Sequence, residues 1–104
     1  MKLFYLHNKN NFPVACVASD LKPDGSILVA VSTYNPIDPF DKRVARDVAI
    51  GRLASGRHFF CINASNNVKA RILELIAGSE YIPNRTKVAA RLWLKQATEK
   101  AKAA

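Results

Sequence analysis

Two short runs, Val14 to Ser19 and Ile27 to Tyr34, are apolar at odd and even positions alike. Val14, Cys16 and Ala18 alternate with Ala15 and Val17, and Ile27, Val29 and Val31 alternate with Leu28 and Ala30. Runs of this length suit strands, and a strand wetted on one face would alternate apolar with polar residues. A sheet built on these two must therefore be covered on both faces, by helices or by a second subunit. Leu21-Lys22-Pro23-Asp24-Gly25-Ser26 joins them. Proline presets φ for a tight turn and glycine tolerates its exit geometry, so the pair reads as a hairpin.

The rest of the chain supplies the cover. Lys2 to Leu6 reads as a strand, followed by a loop, Asn8-Lys9-Asn10-Asn11, that ends at Pro13. Asp38 as N-cap and Pro39 at the first helical position announce a helix that runs to about Ala54 and stops at Gly56. Phe40, Val44, Val48 and Gly51 share one of its faces, with Gly51 placed for close approach to the sheet. His58 to Asn63 reads as a fourth strand. Ser65 or Asn66 then caps a second helix, Asn67 to Ala77, whose apolar face is Val68, Ile72, Leu75 and Ile76. After a loop from Gly78 to Pro83, Asn84 caps a third helix with a fraying tail rich in alanine and lysine. With 49% apolar residues in 104, the expectation is one α+β domain over residues 1–104, of order β-β-β-α-β-α-α, with helices packed on an antiparallel sheet.

Charge is the second constraint. The formal net charge is +8, and most of it lies in the C-terminal half. Lys87, Arg91, Lys95, Thr98 and Lys102 follow one another at helical spacing and fall within a sector of about 80°. Such a stripe attracts anions. Arg85, Lys69 and Arg71 are expected to support it, with Lys42, Arg43 and Arg46 as further candidates, and the first turn of the third helix adds free backbone amides. Helix two, loop and helix three loosely resemble a helix-turn-helix, but the loop is long and the charges run the length of the helix. That pattern suits contact with a phosphate backbone better than reading of bases. Tyr81 and Trp93 are the candidate stacking platforms, although Trp93 falls in the apolar arc and is expected in the core. The partner is thus a DNA or RNA backbone, or an acidic host protein surface.

Catalytic chemistry finds little to work with. Asp38 and Asp41 sit where carboxylates cap helices, and Asp47 and Glu74 lie at ion-pair spacing from Arg43 and Arg71. His58 and Cys61, three apart on a strand, face opposite sides, and two His with two Cys make a poor zinc set. Gly51 to Gly56 lacks the Lys-Ser/Thr ending of a phosphate loop; Arg52, Arg57 and His58 there suit a helix C-terminus. No enzyme activity, metal or cofactor is expected. No apolar run reaches the roughly 20 residues of a membrane span, and Leu3 to Leu6 is short for a signal-peptide core. The expected location is the cytoplasm, where Cys16 and Cys61 stay unpaired.

The segment from Tyr34 to Leu53, in which Asp38-Pro39-Phe40 is followed by basic residues and then by Ala49-Ile50-Gly51-Arg52-Leu53, resembles a pattern in small uncharacterised phage or mobile-element proteins. The likeness covers about a fifth of the chain. It implies a short accessory protein in a bacterial host cell, of the kind that binds nucleic acid or inhibits a host complex.

Overall fold

The computed structural model describes residues 1–33, 41–57, 60–63 and 67–103, with side chains as far as residue 98. Its elements are β1 (Lys2–His7), β2 (Pro13–Leu21), β3 (Ser26–Thr33), α1 (Lys42–Ala54), β4 (Phe60–Asn63), α2 (Val68–Gly78) and α3 (Asn84–Ala103). The fold is α+β in the predicted order, and the strands form one antiparallel sheet in the order β1-β2-β3-β4. The β2–β3 hairpin closes at Leu21 opposite Ile27. In its turn the Gly25 amide donates to the Lys22 carbonyl at 3.0 Å, and Gly25 takes φ +90°, a conformation that favours glycine.

Strand alternation divides the doubly apolar strands between two cores. On one face Ala15, Val17, Val29 and Val31 pack with Leu6, with Ile72, Leu73 and Ile76 of α2, and with Ala89 and Ala90 of α3. On the other, Cys16, Ala18 and Ala30 pack with Ala45, Ala49 and Leu53 of α1. Helices cover both faces of the two central strands. The branched side chains meet the helix pair, and the small ones meet the single helix α1.

That asymmetry corrects the reading of α1. Its N-cap is Asp41, whose carboxylate accepts from the amides of Arg43 at 2.9 Å and Val44 at 3.4 Å; Asp38, Pro39 and Phe40 lie outside the described residues. The buried face is Ala45, Ala49 and Leu53, while Val44 and Val48 stand 58% and 39% exposed. A sheet face of cysteine and alanine accepts alanines more closely than valines, so the small residues point inward. Gly51 is exposed, and a Cβ built there meets nothing within 4 Å, so the expected close approach is absent. Gly51→Ala should therefore raise stability by roughly 0.5–1 kcal/mol. Ala49→Leu should lower it by about 1–3 kcal/mol through overpacking. Thermal melts check both, and a lower melting temperature for Gly51→Ala would contradict this register.

Two helix starts also differ from expectation. Asn67 caps α2, its side chain accepting from the Ala70 amide at 3.3 Å; Ser65 and Asn66 lie outside the described residues. Asn84 is already helical, and the Pro83 carbonyl accepts from Thr86 and Lys87 at 3.0 and 3.2 Å. The fourth strand is described over Phe60–Asn63, and His58, where it is expected to start, lies outside the described residues.

Candidate nucleic-acid interface

α3 lies on the sheet with Thr86, Ala89 and Ala90 buried. The opposite side of the helix carries the basic stripe: Arg91, Lys95 and Thr98 are exposed and Lys87 is half-buried. The side chain of Lys102 lies outside the described residues. Lys87, Arg91 and Lys95 rise along about 12 Å of helix, about 6 Å apart. Among the described residues no carboxylate forms an ion pair with any of the three.

The stripe is not purely a surface feature. The Arg91 guanidinium donates to the Ala77 carbonyl at 3.2 Å, in the last turn of α2. A cation there meets the negative end of a helix dipole, so Arg91 also holds the two helices together. Thr98 turns its hydroxyl back to the Leu94 carbonyl at 2.9 Å. Lys69 of α2 packs its ammonium over two rings, Phe4 at 4.7 Å and Trp93 at 4.9 Å from the centroids. That cation–π arrangement bridges β1, α2 and α3. Arg71 pairs with Glu74 at 3.5 Å. Arg85 stands exposed in the first turn of α3.

Other basic candidates separate from the stripe. Lys42, Arg43 and Arg46 belong to α1, on the opposite face of the sheet from α2 and α3. Lys42 sits over the Tyr5 ring at 5.0 Å, and Arg46 pairs with Asp47 at 3.4 Å, where Arg43 was the expected partner. Arg52 donates to the Val31 carbonyl, tying the end of α1 to β3 beyond the last described β3–β4 pair. The likeness to a helix-turn-helix weakens as well, since the first turns of α3 are buried at Thr86, Ala89 and Ala90.

Trp93 is half-buried rather than enclosed. It packs against the larger core and also lines a cavity of about 320 Å³ between α3 and the β1–β2 loop. His7 at the end of β1 and the loop residues Asn8, Lys9 and Asn11 form the other wall. The sequence marks Asn8 to Asn11 only as a loop; the signal it offers for a site is an amide-rich loop beside a histidine. Tyr81, the other candidate platform, is 87% exposed.

Elsewhere the chemistry is sparse. Among the described residues no three His, Cys, Asp or Glu side chains gather as a metal centre requires. No described helix is long and apolar enough to cross a membrane. Asp24 accepts from the Ser26 hydroxyl at 2.6 Å and its amide at 2.9 Å, bonds that lower its pKa.

Both cysteines are free. Cys16 pairs with Ser32 and Cys61 with Leu28, four residues apart along β3 and on opposite sides of it. This exceeds about 13 Å, too far for a disulfide. Burial pushes the Cys16 thiol up, outweighing the opposing charge of Arg46. A raised thiol pKa favours the folded state below the ordinary thiol value, and that contribution is lost as pH climbs from there through the folded value. A thiol reagent at pH 8 should modify the exposed Cys61 promptly and Cys16 only on unfolding. Equal rates for the two thiols in the native protein would contradict the close packing of α1 on β2.

No family model, curated protein or solved structure matches this chain.

Proposed function

We propose that this is a non-enzymatic accessory protein of the phage or mobile-element kind that residues 34–53 resemble, and that it binds nucleic acid by its phosphate backbone in a bacterial cytoplasm. The observation that supports this reading is the outward display of Lys87, Arg91 and Lys95 on one side of α3, without a described carboxylate against them. Their spacing of about 6 Å suits successive phosphates, and their positions along the helix suit tracking of a backbone. Arg85 lies at the start of the same helix. Lys69 and Arg71 contribute positive potential from α2 while their heads are engaged with Phe4, Trp93 and Glu74.

The test is anisotropy of labelled oligonucleotides across a salt series. Micromolar binding at low salt is expected, tolerant of sequence. Three phosphate contacts predict a slope of roughly −2 to −3 in log K against log salt. Absence of micromolar binding to any nucleic acid at low salt would overturn the proposal and turn attention to an acidic host protein as the partner of the same face.

A further inference from the structure

The cavity beside α3 differs from the basic stripe in chemistry. One wall is Trp93 with Leu92 and Gln96; the other is the end of β1 with the β1–β2 loop, which bring His7, Lys9 and Asn11. The loop is set in advance by its own bonds. The Asn8 side chain accepts from the amides of Asn10 at 2.9 Å and Phe12 at 3.0 Å, the Asn8 amide donates to the Phe12 carbonyl at 2.9 Å, and Asn11 holds φ +64°. Among the described residues the side chains of His7, Asn11 and Gln96 form no hydrogen bond, and none of their polar atoms is buried without a partner, so their donors and acceptors face solvent or the cavity.

From this we infer that the cavity takes one unstacked base of a single-stranded nucleic acid, an inference that rests on the nucleic-acid reading above. An aromatic and aliphatic wall answers the π-face of a base, two amides and an imidazole answer its edge, and Lys9 answers the adjoining phosphate. A volume of about 320 Å³ accommodates a base with room for water. A base inside a duplex is stacked and paired, so its entry would cost unstacking and unpairing energy that a single strand does not incur. The geometry also links cavity and stripe. Gln96 follows Lys95 directly, about 100° around the helix, so a strand whose phosphates lie on Lys95 can turn one base past Leu92 toward Trp93.

Trp93 is the chain's single tryptophan, so its fluorescence reports this cavity and the Lys69 ammonium on its ring, and the duplex is the control for the latter. Titration with a single-stranded oligonucleotide should quench or shift the emission at the concentrations where anisotropy shows binding. A duplex with equal phosphates should bind without that change. Asn11→Gly, which keeps the positive φ without strain, with Gln96→Ala should weaken single-strand binding about tenfold, leaving duplex binding and its salt slope unchanged and the melting temperature little changed. The inference is overturned if single strands bind with unchanged emission, or if the double variant binds them like wild type. In either case the backbone reading stands, because duplex binding and its salt slope test that separately; loss of all nucleic-acid binding would sink both.

Discussion

Replacing Lys87 and Lys95 together by glutamate is expected to reduce affinity for oligonucleotides about 100-fold or more at low salt, with the melting temperature little changed. Removing two phosphate contacts should flatten the log-log salt slope by roughly 1.4 to 1.8. The pair is chosen because neither ammonium has a described ion-pair partner, and because Lys87 lies near the start of α3, where a carboxylate is favoured by the helix dipole. Arg91 is a poorer target. Its glutamate variant would lose the bond to the Ala77 carbonyl and set an anion against the C-terminal end of α2. That should destabilise the protein by about 1 kcal/mol or more, so weaker binding would mix two causes. Arg91→Lys separates them, keeping the charge while losing the planar fork. Wild-type affinity for Lys87→Glu/Lys95→Glu, with the fold intact, would remove the stripe from the interface.

Much of the architecture is legible because it depends on patterns that are local in sequence. Strands apolar on both sides require two covered faces, and β2 and β3 have them. The helical spacing of Lys87, Arg91 and Lys95 needs only the period of a helix. What the sequence conceals depends on the size of a distant partner. The choice of Ala45 and Ala49 over Val44 and Val48 follows from the cysteine and alanines that β2 and β3 turn toward α1, and alanine carries a weak hydrophobic signal. The bond from Arg91 to Ala77, and the seat of Lys69 between Phe4 and Trp93, arise only when α2 and α3 pack together. The cavity joins a loop near one end of the chain to a helix near the other, so no spacing rule marks it.

The same helix pair sets the largest expected loss of stability. Leu73 was not part of the predicted apolar face of α2, yet it is fully buried, because α2 is enclosed by the sheet on one side and α3 on another. Enclosure from two directions widens the buried arc beyond that of a helix lying on a single surface. Leu73→Ala should cost about 2–5 kcal/mol, toward the upper end. The helix partners opposite include Ala89 and Ala90, whose short side chains have no reach to fill the space left behind. Trp93→Ala should cost less than the 3–5 kcal/mol typical of an enclosed aromatic, about 2 kcal/mol, since the ring is half-buried and already borders a cavity. Urea denaturation of the three proteins orders them. A Trp93→Ala midpoint below that of Leu73→Ala would show that the anchor between α2 and α3 is the indole under Lys69 rather than the leucine, and the packing order argued for this layer would be wrong.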